Sequence, residues 1–592
     1  MKKILIFSIL ILLLPVVNAQ QGHMKLLAVS DTTNGQEGNI ADLFLEIKPG
    51  SGRVFLETFP LTRVDTQIST RFAKQIACDF ADKDCNKFDF FYTITADSPI
   101  IAGPSAGASI AVLTFSLLND ISLDKETAIT GTINSGGLIG PVGGLKAKIE
   151  AANRTGIKKV LIPIGESIES EDIEIEANET STNKTNETFE LDELIKKFNI
   201  KIIETSTIDE ALFEFTGKTF REKKANLTIS EDYKDTMKML AIQLCSRSTR
   251  LKNEIINLTL TNTTKNIQKN ALNLSNKGRS SFKKSKYYSA ASYCFGSNVE
   301  FNYISLLNQN LIEKEIVEKV QELKDEIKDF EENVENEKIK TITDLESYMI
   351  VKERLIEAND FLNLVFESIK NKNTSLHNLA YAIERINSAK SWSQFLQNTG
   401  KEFNLNDGII KNACREKISE AEERFQYVQL YFPQNLENTR KELDYAYQDL
   451  ENENYELCLF KASKAKANVD TILSVFGVRI ADVDNVVKQK LNIVERNIVE
   501  ETEKGVFPIL GYSYFEYANS LKDSDIFSAL LYSGYALELS NLDIYFKSPE
   551  SIPSTITKKI DKKLLLVFII GILMGIFIGN IHRFRKKKAR KK

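Results

Sequence analysis

Histidine is almost missing from this chain. Its 592 residues hold three, His23, His377 and His582, which fall near the N-terminus, in a helix-patterned middle stretch and among the last residues. No Ser-His-Asp triad is therefore expected within a single domain. Proline (11) and glycine (27) are also scarce beside 42% hydrophobic and 27% charged residues, which excludes a largely disordered or collagen-like chain. There is no Cys-X-X-Cys and no His/Cys cluster to suggest a metal site, and no cofactor is expected. No Gly-X-X-X-X-Gly-Lys-[Ser/Thr] occurs: Gly217-Lys218-Thr219 has Leu212 where the leading glycine would stand, so ATP is not an expected ligand. The net charge of −4 is mild, and no basic face is interleaved with aromatics outside the final residues, so nucleic acid is not an expected partner. The length calls for two or three domains plus tails.

The ends of the chain carry more information. Lys2-Lys3, the apolar run Ile4 to Val17 and the closing Val17-Asn18-Ala19 predict a secretory signal peptide over 1–19. Leu564 to Gly579 is apolar and uncharged, and predicts a transmembrane helix over 564–581. Lys562, Lys563 and Arg583 flank it and would snorkel. A stalk (547–563) precedes it and a basic tail (582–592) follows, which is expected on the cytoplasmic side. The expected location is thus a single-pass cell-membrane protein with its bulk outside the cytoplasm. Gly571, Gly575 and Gly579 add a small-residue stripe suited to helix pairing.

Two further features agree with export. Of nine Asn-X-Ser/Thr acceptors, Asn178, Asn183 and Asn186 cluster in a polar insert at about 166–190 that reads as a glycan-bearing loop. Six cysteines fall in neighbouring pairs, Cys78 with Cys85, Cys245 with Cys294 and Cys414 with Cys458. That is one of 15 possible pairings.

From 24 to 222 short strand and helix patterns alternate. Ala41 to Ile47 and Arg53 to Leu56, joined by Lys48-Pro49-Gly50-Ser51-Gly52, predict a hairpin. Helices are expected at 66–81, 105–119, 146–155 and 208–215, and strands at 90–95, 128–130, 159–163 and 200–203. From 230 to 546 the pattern is helical. Aromatic knobs beside small residues echo at Tyr287–Cys294, Tyr455–Ala462 and Ile526–Ala536, the mark of a helical-hairpin repeat or a long-helix bundle.

The chemistry concentrates in two stretches. Gly103-Pro104-Ser105-Ala106-Gly107 stands between a strand and an apolar helix, where unpaired amides and the helix dipole would stabilise an oxyanion. With no usable histidine, lysine remains as an activating base, provided that burial keeps it partly neutral. Gly143-Gly144-Leu145-Lys146-Ala147-Lys148 feeds a helix with Ile149 and Ala152 on its apolar side.

Together these stretches resemble the peptidase domain of the Lon proteases. The likeness rests on Gly103–Gly107, on Gly143–Lys148, on Thr130-Gly131, on Val160-Leu161-Ile162-Pro163 and on Thr207–Leu212. It implies a Lon-type α/β (α+β) peptidase domain, followed here by an all-α hairpin or bundle region and one C-terminal transmembrane helix. It also implies Ser105 as nucleophile and Lys148, 43 residues on, as general base, in preference to Lys146. Thr130 would support the lysine, with Gly103 and Ala106 shaping the nucleophile turn. The family's frequent acid before Gly-Pro-Ser is Ala102 here, and its glutamate after Thr-Gly is Thr132. The reading that follows is an ATP-independent, membrane-tethered serine endopeptidase acting on unfolded or flexible polypeptides. The resemblance further implies self-association and suits an archaeal cell surface. The alternative is a catalytically weak or inactive surface scaffold whose helical region binds protein partners.

Overall fold

The computed structural model describes residues 20–546, apart from 33–34, 97–102, 165–199, 222–226, 259, 371–374, 397–399, 432–435, 476–477 and 479. The first strand, β1 (Gln20–Thr32), pairs antiparallel with β2 (Gly35–Pro49). Along β2, Leu43, Leu45 and Ile47 are buried while Phe44 is exposed, the period-two signature of a half-buried strand. The chain continues through β3 (Val54–Phe59), α1 (Val64–Phe80) and β4 (Phe88–Ala96).

The expected hairpin does not form. The sheet order is β1-β2-β4-β3, so β4 lies between the two strands that the Pro/Gly turn joins. β4 runs antiparallel to β2 and parallel to β3. Asp89 at the start of β4 accepts the Ser51 and Arg53 amides at 2.8 and 3.0 Å and the Arg53 guanidinium at 2.6 Å. The turn is thereby pinned across the end of β4, and β2 and β3 are held apart.

Behind this sheet lie α1 and α2 (Gly107–Leu118). Phe72, Ala73 and Ile76 of α1 and Ile110, Leu113 and Phe115 of α2 close a core with Leu43, Phe90, Tyr92 and Ile94. Next come β5 (Thr127–Ile129), the small hairpin β6 (Thr132–Asn134) and β7 (Leu138–Gly140), α3 (Leu145–Arg154), β8 (Lys159–Pro163), β9 (Lys201–Thr205) and α4 (Ile208–Thr216). β5, β8 and β9 form a parallel sheet whose core includes Leu145 and Ile149 of α3.

The remainder is helical: α5 (Glu231–Glu254), α6 (Asn262–Lys283), α7 (Tyr287–Gln309), α8 (Glu313–Glu335), α9 (Ile342–Lys370), α10 (Leu376–Trp392), α11 (Asp407–Tyr431), α12 (Glu437–Glu451), α13 (Tyr455–Val475), α14 (Val483–Glu503), α15 (Ile509–Leu521) and α16 (Ile526–Leu539). The three aromatic echoes are α7, α13 and α16, each packed on the helix before it in the chain. Disulfides link Cys78 to Cys85, Cys245 on α5 to Cys294 on α7, and Cys414 on α11 to Cys458 on α13.

One element of the expected fold class is corrected. No helix among the described residues is long and apolar enough to cross a membrane. The most apolar stretch in the α/β part, α2, has 12 residues, about 18 Å at 1.5 Å each against a hydrocarbon slab of ~30 Å. The longest helix, α9, has 29 residues but carries charges along its length. Among the described residues the fold class is therefore an α/β domain followed by an all-helical region, with no membrane helix. The single-pass location that rested on that helix is withdrawn with it. The segments expected as signal peptide (1–19), stalk (547–563), transmembrane helix (564–581) and tail (582–592), and the insert with Asn178, Asn183 and Asn186, lie outside the described residues.

Candidate active site

Ser105 occupies a turn immediately before α2. Gly103 has φ +93°, a conformation that L side chains rarely adopt, and Pro104 accepts the Gly107 amide at 2.8 Å to close the turn. Ala106 is the N-cap, and no side chain caps the helix. The helix thus begins two residues later than its sequence pattern suggests, and Ser105 does not act as a cap. Ser105 is half-buried, beside the amide-rich start of α2.

The turn is laced to its neighbours by main-chain bonds. Gly131 donates its amide to the Ser105 carbonyl at 3.0 Å, and its own carbonyl accepts the Ala108 amide at 3.0 Å. Ser109, one helical turn on, donates its hydroxyl to the Ile129 carbonyl at 2.8 Å. The end of β5 and residues 130–131 therefore set where the nucleophile turn sits. Thr130 is fully buried, and its hydroxyl has no hydrogen-bond partner among the described residues. Thr132 Oγ1 and both polar side-chain atoms of Asn134, just after it in the chain, are likewise buried without a hydrogen-bond partner among the described residues.

Lys148 lies in the second turn of α3, its amide bonded to the Gly144 carbonyl at 3.1 Å. Gly144 begins that helix at φ +69°. Lys148 is 3% exposed whereas Lys146 is exposed, so the two lysines of the motif have opposite environments. α3 packs on β8, the strand whose Leu161 carbonyl accepts the Thr130 amide at 3.1 Å.

A carboxylate that sequence reasoning passed over stands at the other side of the turn. Asp65, in the first turn of α1 and 3% exposed, accepts the Gly103 amide at 3.1 Å and the Thr66 amide at 2.7 Å. Thr66 donates its hydroxyl to the Gly103 carbonyl at 3.2 Å, and Ser69 donates to the Pro104 carbonyl at 3.2 Å. The start of α1 therefore grips the nucleophile turn through three side chains. Ala102, where the acid was missed, lies outside the described residues, and a buried acid reaches the next residue from 38 positions upstream. The only signal for it in the sequence is an acid at a helix start.

The six cysteines take no part in this site, and no metal-holding group of His, Cys, Asp and Glu exists among the described residues. Gly217-Lys218-Thr219 stands at the C-terminus of α4, with Gly217 at φ +68° donating to the Phe213 carbonyl. A phosphate-cradling loop needs those residues at a helix start.

Residues 83–198 match the C-terminal proteolytic domain of Lon protease (S16). The domain is Lon-like. The match takes in Ser105, Thr130 and Lys148. A Lon protease of Methanosphaera stadtmanae is 30% identical over 200 residues, which are 33% of this chain and 22% of that protein. One of Paraburkholderia phytofirmans is 34% identical over 142 residues, 23% and 18% of the two chains. Lon protease 2 of Bacillus subtilis is 48% identical over 63 residues, 11% of each. The chain spans about a fifth of the length of the first two relatives. A Lon-like proteolytic domain supports a peptidase of the serine type.

Proposed function

We propose that this protein is a serine endopeptidase that cuts unfolded or flexible polypeptides without ATP, with Ser105 as nucleophile and Lys148 as general base. The observation that supports the reading is that the Lon-like segment holds both an uncapped Ser105 at an amide-rich helix start and, on the second motif, a buried Lys148. Ser105 Oγ attacks the peptide carbonyl, and neutral Lys148 takes its proton and passes it to the leaving amine. Amides at the nucleophile turn hold the oxyanion, and Thr130 orients the lysine. Independence of ATP rests on the missing phosphate loop. Without an unfolding module, a tightly folded substrate would be refractory.

The direct test is covalent labelling by a serine-directed phosphonate, read by peptide mapping. The label should fall on Ser105 and disappear in Ser105→Ala. Labelling elsewhere, or none in a chain that is folded, removes the nucleophile from the proposal.

Asp65 gives a second expectation. Asp65→Ala leaves the Gly103 and Thr66 amides without their acceptor, a loss of about 1–3 kcal/mol for buried groups. Turnover of an unstructured polypeptide should fall roughly 10- to 100-fold, with Asp65→Asn intermediate because it keeps an acceptor oxygen. An alanine variant with wild-type turnover would show that the turn holds its shape unaided.

A further inference from the structure

The α/β domain does not hold its active-site segment alone. Residues 133–136, which follow Thr130-Gly131-Thr132 into the β6–β7 hairpin, are gripped by cations from three helices of the helical region. Arg424 on α11, 4% exposed, donates to the Ile133 carbonyl at 2.8 Å. Its guanidinium also lies 3.3 Å from Asp470 and 3.7 Å above the ring of Phe72 on α1. Lys466 on α13 donates to the Ser135 hydroxyl at 2.9 Å, and that hydroxyl donates to Asp470 at 3.2 Å. Arg496 on α14 reaches the Gly136 carbonyl at 3.4 Å while pairing with Asp209 of α4.

Arg424, Lys466, Asp470 and Glu538 are buried and ion-paired, while Arg424 Nε, Asp470 Oδ1 and Glu538 Oε1 have no hydrogen-bond partner among the described residues. Lys466 and Lys417 converge on Glu538 at 2.8 and 3.0 Å. Burial alone would raise the Glu538 carboxyl, but the two ammonium groups hold it well below the usual carboxylate range. Breaking such a network exposes uncompensated charge, so it acts as a rigid clamp.

The clamped segment touches the nucleophile helix. A Cβ on Gly107, the first residue of α2, would stand 3.1 Å from both the amide nitrogen and Cγ2 of Ile133. Gly131, two residues before Ile133, makes the bonds to Ser105 and Ala108 described above. A shift at 133 would therefore be felt at the turn that carries Ser105. The helices that supply the clamp lie outside the Lon-like segment 83–198.

We propose that Arg424 is a positioning residue for the reaction at Ser105: from the helical region it fixes the Ile133 carbonyl and, through it, the 130–133 segment to which the nucleophile turn is bonded. The inference rests on the peptidase reading for its kinetic consequence but not for its structural one. The helical region then completes the active site, in addition to any role toward substrates.

The test uses the full chain and two readouts. Arg424→Met should lower kcat on an unstructured polypeptide roughly 10- to 100-fold with KM changed less than about twofold, since the loss is of alignment. Arg424→Lys should recover part of it, because an ammonium can reach one of the two oxygens but not both. Hydrogen exchange, which needs no activity, should quicken over 128–140 and stay unchanged in β1 and β2. If Arg424→Met does not fold because Asp470 is left unpaired, Arg424→Met/Asp470→Asn removes both charges and is read in the same way. Unchanged exchange over 128–140, or kcat within twofold of wild type, overturns the inference. A wild-type chain that cleaves nothing overturns the peptidase reading instead, and exchange still decides whether Arg424 holds the segment.

Discussion

Lys148→Met is expected to lower turnover of an unstructured polypeptide by about three orders of magnitude or more, within the range that removal of a general acid–base or its nucleophile partner produces. Methionine has nearly the length of lysine and suits a site only 3% exposed, so α3 and the packing of its Leu145 and Ile149 against Val160 and Ile162 should persist. The chain should still fold, because methionine fills much of the volume of the lysine stem. KM should change little, since the amine is used in the transition state and does not hold the substrate. Lys148→Arg separates a base from a mere cation. A guanidinium keeps its charge above pH 12 and cannot accept the serine proton, so this variant should be as inactive as the methionine one. Restored activity in Lys148→Arg, or a methionine variant within tenfold of wild type, would mean that Lys148 serves charge or packing and that another group activates Ser105.

The parts of this site that could be read from the sequence are those carried by local pattern. The helices at Val64–Phe80, Gly107–Leu118 and Leu145–Arg154 and the strand at Lys159–Pro163 follow from periodicity and composition within a few residues. What could not be read depends on residues distant in the chain. The Pro49-Gly50-Ser51-Gly52 turn is a sound hairpin signal, yet β4, more than thirty residues later, fills the slot between the strands it joins. Strand β1 has an irregular pattern, with Met24, Leu26 and Leu27 all buried, and so gave no alternation to detect. Asp65 reaches Gly103 across 38 residues and Arg424 reaches Ile133 across 291. Neither contact has a signature in spacing, because the fold alone brings the partners together. The apolar run at 564–581 that predicts a membrane helix lies outside the described residues, and none of the described helices is long and apolar enough to cross a membrane.

Glu346→Gln is expected to make the helical region more stable at alkaline pH and to leave it almost unchanged in mild acid. Glu346 on α9 is fully buried, and its Oε2 accepts the Leu510 amide at 3.0 Å at the start of α15. Its other oxygen has no partner among the described residues. Burial pushes this carboxyl up to about 8, and the amides of Leu510 and Ile509 offset only part of that. In the unfolded chain it titrates near 4.5. Between those two values the folded protein holds a proton that the unfolded chain has released, so stability falls as pH rises through the window. At about 1.4 kcal/mol per unit, the loss approaches about 5 kcal/mol by about pH 8.5. Glutamine keeps an acceptor for Leu510 and cannot ionise, so it escapes the decline. Glu516, pushed up to about 7 by burial, works in the same direction, and Lys490, lowered to about 8, works against it above that pH. Both are present in wild type and variant alike, so the difference between the two proteins isolates Glu346. Urea midpoints followed by circular dichroism at about pH 4 and about pH 8.5 should nearly coincide at the first and separate clearly at the second. Midpoints that run parallel across that range would show that Glu346 ionises in the folded protein as readily as in the unfolded one.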